Sequence, residues 1–329
     1  VDTTSIVPRL GAAFDVRGDG ATVAQATYGH YSGKYNQVQF SANTNVGRPS
    51  EVDYVYTGPA GQGSDFAPGF DVDNYNEAIW ANFPTANVDV ADGIRSPSVR
   101  EFTIALGQEL GRSGHVKATY AWRTTSNFVD DFVDLSTGVT NVPMVGTLAN
   151  RVFRNTDVPT REYQALIFQA SYRPHDTVTV GGEYTLQLRN HGNFVGETAN
   201  QPGIPSIFGD FPEIYGPALD RLMPDGRLDG YQQNKLRVYG IYTQAFGRFG
   251  SLNLSPIWRV NSGSVYSHTA RIRLTPEQLA SNPGFPANDI NRFVPETIFF
   301  GERGQNSFKG YGVLDLAATY SIPAWRSVA

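Results

Sequence analysis

Five histidines, two groups of aspartates and a scatter of loop aromatics are the residues of this 329-residue sequence whose types could do chemistry. His30, His115, His175, His191 and His268 could bind a metal or move a proton, but none falls in an H-E-x-x-H pattern. The sequence also lacks a G-x-S-x-G nucleophile elbow and a phosphate-cradling P-loop. With no cysteine, zinc-thiolate sites, thiol nucleophiles and disulfide staples are excluded together. Asp130, Asp131 and Asp134, and again Asp71, Asp73, Asp89 and Asp92, offer the hard oxygens that calcium prefers, but their spacing fits no EF-hand loop. Solvated loop acids are the simpler account. No catalytic, cofactor-binding or metal-ligating residue is therefore assigned, and the chain is not read as an enzyme. The remaining candidates are Tyr54, Tyr56, Trp80 and Phe211, whose rings can stack on apolar or sugar-like parts of a substrate held by long loops.

Such loops need a frame, and composition says which kind. Aromatic residues make up 12% of the chain, with 17 Tyr and 20 Phe, while charged residues are 17% against roughly 25% in ordinary soluble domains. The 34 Gly and 20 Pro lie mostly between apolar stretches, which suits strands and loops and disfavours helices. A net charge of −5 argues against a nucleic-acid partner, because phosphate-backbone binding needs clustered Lys and Arg. Mean hydropathy is −0.32, and no run reaches the roughly 20 apolar residues of a membrane helix. Barrel strands escape that test, since each alternates apolar and polar residues and averages near neutral.

Alternation is clearest over 178–189, with Val178, Val180, Tyr184, Leu186 and Leu188 on one face and Thr179, Glu183, Thr185, Gln187 and Arg189 on the other. The stretch 100–110 sets Phe102, Ile104, Leu106 and Leu110 against Glu101, Thr103 and Glu109, with Arg100 and Gln108 as flaws near its ends. Over 115–125, Val116, Ala118, Tyr120 and Trp122 oppose Lys117, Thr119 and Arg123. Further strands are expected over 8–17, 21–31, 162–173, 235–246, 251–262 and 310–321, nine in all. Tyr120, Trp122, Tyr172, Tyr184 and Trp258, on the apolar faces, suit the aromatic girdles of a membrane boundary. The opposite face gives Glu101, Lys117, Arg123, Glu183, Arg189 and Arg259 as lumen-facing charges.

A soluble β-sandwich would alternate too, so the connections carry the decision. Gly18-Asp19-Gly20, Gly111 to Gly114, Pro174-His175-Asp176 and Gly247 to Gly250 read as tight turns. The intervening connections, 32–98, 126–161, 191–234 and 263–309, are each many times the median of roughly 4 to 6 residues. Short turns at one end and long loops at the other match an outer-membrane barrel, with periplasmic turns and extracellular loops. The expected fold is thus all-β: an antiparallel transmembrane β-barrel wall of about nine strands, an odd number with which bacterial single-chain barrels do not close.

Particular residues add a family resemblance. Pro8-Arg9-Leu10-Gly11, Asp15, Gly18-Asp19-Gly20, Thr22-Val23 and Tyr28-Gly29-His30-Tyr31 resemble the barrel hairpins of TonB-dependent receptors, closest to the Oar-like branch. The likeness continues through Ser96-Pro97, Glu101-Phe102-Thr103, Glu109-Leu110-Gly111, Arg161 to Leu166, Val260-Asn261-Ser262-Gly263 and Leu314-Asp315-Leu316. Each marker is short, but in order they span most of the chain.

This resemblance implies an outer-membrane active transporter, in which a barrel closed by a plug captures a scarce extracellular substrate and releases it when the TonB-ExbB-ExbD system pulls on the plug. It has no cofactor of its own. Residues 1–329 are then expected to be a partial barrel domain, about nine strands of a larger barrel of about 22, in the lipid of the bacterial outer membrane. The plug domain, TonB box and signal peptide expected upstream are not visible in this chain, so it reads as a C-terminal barrel fragment. A passive outer-membrane pore and a surface adhesin or structural barrel protein are the alternatives, and a soluble all-β enzyme is a fourth reading only if the strands pack as a sandwich around their apolar faces and a polar constellation converges in a cleft.

Overall fold

The computed structural model describes residues 4–32, 50–58, 72–75, 77–83, 86–133, 136–157, 160–193, 224–272 and 296–322. Nine long strands follow one another as an antiparallel meander: β1 (Arg9–Asp15), β2 (Thr22–Ser32), β3 (Ser98–Leu110), β4 (Gly114–Ser126), β5 (Arg161–His175), β6 (Val178–Gly192), β7 (Asn234–Ala245), β8 (Ser251–Asn261) and β9 (Tyr311–Ser321). Each pairs with its sequence neighbour, so β1 and β9 are the edges of the sheet among the described residues. All nine expected strands are present, within a few residues of their expected ends. Among the described residues the helical structure is two 3-10 turns, Val72–Asn74 and Gly247–Phe249, and no helix is long and apolar enough to cross a membrane.

Register turns the alternation of single strands into two continuous faces. Phe14, Ala24, Leu106, Ala118, Phe168, Tyr184, Leu236 and Val260 pair in sequence across eight strands, forming one apolar row. Directly opposed antiparallel residues share a face, and rows two residues apart along a strand repeat the pattern about 7 Å away. Phe168 and Tyr184 stack across β5 and β6 with ring centroids 6.2 Å apart. Among the described residues nothing covers this face. Leu10 and Phe14 are each 68% exposed and Leu314 and Leu316 each 67%, so the apolar residues are not an internal core. Among the described residues there is no second layer over the wall, so the nine strands form a single sheet and not a sandwich.

The short-turn end is built from hydrogen bonds and positive-φ glycines. Asp15 accepts from the backbone N–H of Gly20 at 2.6 Å and of Gly18 at 2.9 Å, with both glycines in the left-handed region. One turn differs from expectation. Pro174 and His175 lie in β5, and the reversal falls at 176–177, where Arg173 donates to Asp176 O at 2.8 Å. The register shift between Tyr172 and His175 accommodates the proline, which has no N–H to give a ladder.

A second irregularity changes which way side chains point. Gln187 pairs with Ala165 but Arg189 pairs with Gln164, so Leu188 is an extra residue, a β-bulge. Beyond it the parity of β6 inverts. Arg189 and His191 therefore share the face of the apolar rows, while Asn190 joins Gln187 on the polar one. Arg189, expected among the lumen-facing charges, instead bonds Glu162 Oε2 at 2.9 Å, and Trp122 Nε1 donates to the same carboxylate at 3.1 Å.

The long connections carry their own ribbons. Glu51–Val55 pairs with Glu77–Asn82, and Val139–Val142 with Gly146–Ala149. Ala81 and Leu148 pack between these two ribbons with Val52, Ala78, Val142 and Val145. Phe128–Val133 pairs with Arg151–Thr156, extending the line of β4 and β5, and Val88–Val90 adds to its edge in parallel over Ile94, Val129 and Phe153. His268–Ile272 pairs with Glu296–Phe300 beyond β8. A third buried cluster joins Phe128 and Leu228, so the buried apolar clusters among the described residues lie in the connections and not in the wall.

Candidate functional site

At the long-loop end of the polar face, two adjacent rows converge. One holds Arg9, Gly29, Glu101, Arg123, Tyr163 and Asn190; the next holds Tyr31, Val99, Thr125 and Arg161. All of these but Arg9 and Gly29 line a cavity of about 640 Å³. Gly29 makes room for it: a Cβ there would come within 2.7 Å of the Tyr31 ring, which lies folded back over the glycine. Arg9 stacks on that ring with Cζ 4.7 Å from its centroid. Arg123 pairs with Glu101 and places its Cζ 5.8 Å from the centroid of Tyr163. The mouth thus offers two phenolic rings, each beside a guanidinium, above a carboxylate: a surface for planar or anionic groups, with no nucleophile–base pair.

Below the mouth, polar side chains bridge neighbouring strands. Lys117 Nζ donates to Gln25 at 3.1 Å, Thr27 and Thr103 hydroxyls meet at 2.6 Å, Gln169 donates to Glu183 at 3.0 Å, and Arg259 to Asp315 at 2.5 Å. Of the charges expected here, Glu101, Lys117, Arg123, Glu183 and Arg259 are on this face and Arg189 is not.

The loop aromatics are elsewhere. Tyr54 and Trp80 lie on opposite strands of the ribbon Glu51–Val55 and Glu77–Asn82, with Tyr54 40% exposed and a register shift between Asp53 and Tyr54. Tyr56 follows directly and packs edge-on against Tyr75 at 5.4 Å. These three share one loop, but they do not line the mouth cavity. Phe211 lies outside the described residues, as do Phe208, Tyr215, Phe293, Asp71 and Asp134. Among the described residues no three His, Cys, Asp or Glu gather closely enough to hold a metal ion. Tyr31, Tyr163, Arg161 and Asn190 are residues of the mouth that motif reading missed. Tyr163 and Arg161 share the parity of Glu101 and Arg123 across β3 to β5, and that was the available signal.

Comparison with solved structures follows the sheet. The outer membrane transporter YddB from Escherichia coli superimposes with a TM-score of 0.52 over 97% of this chain and 34% of its own, at 10% sequence identity. The fold is that of an outer-membrane barrel wall. The FrpB iron transporter from Neisseria meningitidis (TM-score 0.46, 12% identity, 97% of this chain and 32% of that one) is also similar. So is the ferric enterobactin receptor PfeA from Pseudomonas aeruginosa (0.46, 10%, 96% and 32%). The barrel wall spans about a third of the length of these structures. No protein-family model and no curated protein sequence matches it.

Proposed function

We propose that this barrel wall is part of a TonB-dependent outer-membrane receptor of the Oar-like branch, which takes up a scarce substrate from outside the cell. The observation that carries this reading is the uncovered apolar face, continuous across nine antiparallel strands and backed by a hydrogen-bonded polar face. In lipid every backbone polar group must be satisfied by pairing, and a closed barrel with an apolar exterior does that. The short turns then face the periplasm and the structured loops face outward. The polar face lines the lumen, where a plug domain linked to TonB-ExbB-ExbD sits. The likeness to YddB, itself named a transporter, supports transport over adhesion. Tyr54, Tyr56, Trp80 and Phe211 are proposed substrate contacts at the loops, and the Arg9–Tyr31 and Arg123–Tyr163 pairs form a second contact layer at the lumen mouth.

The test begins with the full-length protein in its own cells. It is expected in the outer-membrane fraction, with gel mobility that shifts on boiling. Substrate-dependent growth is expected to need both this protein and TonB. Growth unaffected by TonB loss, together with open single-channel conductance in planar bilayers, would identify a passive pore instead. Outer-membrane residence with neither uptake nor conductance would identify an adhesin.

A further inference from the structure

One side of the mouth cavity is bonded to chain from a long connection. Gln187 lies on the polar face of β6, opposite Ala165 and diagonal to Tyr163, yet it is only 5% exposed. The residues bonded over it come from the stretch 228–233 that leads into β7. Gln232 donates its backbone N–H to Gln187 Oε1 at 3.1 Å, and the Tyr231 hydroxyl donates to Gln187 O at 3.3 Å. The Gln187 side chain also bonds the Tyr163 hydroxyl, in the wall of the cavity. A buried amide with both ends taken is a connector, because losing either partner leaves half of it unpaired away from water.

The same stretch is fastened at a second cavity residue. Asn190 accepts from the backbone N–H of Leu228 at 3.0 Å, and the Leu228 side chain is buried against Phe128. Residues 228–233 thus form a strap seated on the rim of the mouth. From the strap the bonding continues into the β8–β9 connection. Gln232 Nε2 donates to Ser264 Oγ at 3.3 Å, and Arg227 N–H donates to Arg303 O at 3.1 Å. Two glycines permit the second crossing: a Cβ on Gly304 would stand 2.5 Å from Arg227 O, and one on Gly226 would meet Arg303 O. The two connections are therefore joined to each other and, through Gln187, to the mouth.

We infer that Gln187 is a positioning residue that ties the Tyr163 hydroxyl to the strap, so that a bound group which takes that hydroxyl unseats residues 228–233. Occupation of the mouth then reaches the β6–β7 and β8–β9 connections without either one touching the bound group. Coupling of this kind is reciprocal, so a loosened strap must also change the setting of Tyr163. The inference rests on the reading of the mouth as a place of capture, while the coupling itself is measurable without a substrate.

Amide hydrogen exchange of the full-length protein in nanodiscs is followed by mass spectrometry on peptides that cover 226–233. Tyr163→Phe stands in for a hydroxyl drawn away and is expected to speed exchange in the strap roughly 2- to 12-fold, the worth of one hydrogen bond. Gln187→Leu should do at least as much. The double variant should add little to Gln187→Leu alone, since both changes remove the same link. Tyr31→Phe, at the other phenol of the mouth, should leave the strap unchanged. In the reverse direction, a fluorotyrosine at position 163 should shift its fluorine resonance when Leu228→Ala loosens the strap. Equal exchange in wild type and Tyr163→Phe overturns the inference. So do additive effects in the double variant, an equal effect of Tyr31→Phe, a rise in exchange that spreads through the β3–β4 ladder, or a fluorine resonance that ignores Leu228→Ala. The receptor reading fails separately, by growth that does not depend on TonB, and that outcome leaves these rates as they are.

Discussion

Gly250 sits at a φ of +114° where the β7–β8 turn enters β8, and a Cβ placed there would collide with the backbone carbonyl oxygen of Ser321 in β9. A flexible side chain could move aside, but a paired backbone cannot. Gly247 in the same turn also has positive φ, at +58°, yet a Cβ on it meets nothing within 4 Å. The two glycines therefore separate conformational strain from steric contact. Gly247→Ala is expected to cost about 1 kcal/mol, the left-handed penalty alone, and Gly250→Ala about 2–4 kcal/mol. Urea unfolding of the full-length protein in micelles measures both, and equal losses would mean that β8 and β9 do not approach as closely as described. The ion pair at the mouth belongs to a different class. Arg123 is 52% exposed and Glu101 21%, so solvent screening leaves the pair worth less than about 1 kcal/mol. Glu101→Gln should shift the same unfolding curve by no more than that. A loss of several kcal/mol would show that the pair is shielded by something packed over it.

One extra residue in β6 decides which charges face which way. Period-two reading assigns Leu188 to the apolar face and Arg189 to the polar one, and nothing in the residue types contradicts it. The bulge became visible only through the partners of Gln187 and Arg189 on β5. Because Leu188 is surplus to the ladder, its deletion should leave Asn190 in the lumen and Arg189 beside Glu162, and the protein should still reach the outer membrane and shift on boiling. Deleting Val238 from β7, which has no such surplus, must invert one half of the strand, sending Leu236 into the lumen and Arg237 onto the apolar face, or else Tyr242 into the lumen and Thr243 onto the apolar face, and folding should fail. If loss of Leu188 is as damaging as loss of Val238, the bulge assignment is wrong. The same contrast explains what the sequence could reveal. The nine wall strands were readable because each one's alternation reports its own two faces without help from the rest of the chain. The loop ribbons were not, since Val88–Val90 finds its partner in Arg151–Thr156, far along the chain and in parallel. The mouth needed register across four strands before Tyr31, Glu101, Arg123 and Tyr163 could be seen as neighbours, and Tyr54 and Trp80, picked for their type, proved to share a ribbon outside that cavity.

Across the whole wall, stability is not stored in a core beneath the sheet. The meander has β1 and β9 running in the same direction, toward the short-turn end, so antiparallel closure of the ring takes an odd number of further strands. The apolar exterior gains its free energy only when lipid replaces water on it, which makes the two faces of a single strand respond oppositely to charge. Ile167 and Phe168 test this, being adjacent in β5. Ile167 pairs with Thr119 and Thr185 on the polar face, and Phe168 pairs with Ala118 and Tyr184 in the apolar row that crosses the middle of the wall. An arginine at the lipid-facing position near the midplane costs about 2–4 kcal/mol, whereas one in the lumen meets water and polar side chains. Phe168→Arg should therefore sharply reduce the fraction that acquires heat-modifiable mobility in vesicles, and Ile167→Arg should leave most of it intact. The ranking reverses if the apolar rows are turned inward against a protein partner and the polar face is the one that meets lipid. Equal tolerance of both arginines would mean that neither face is in a membrane.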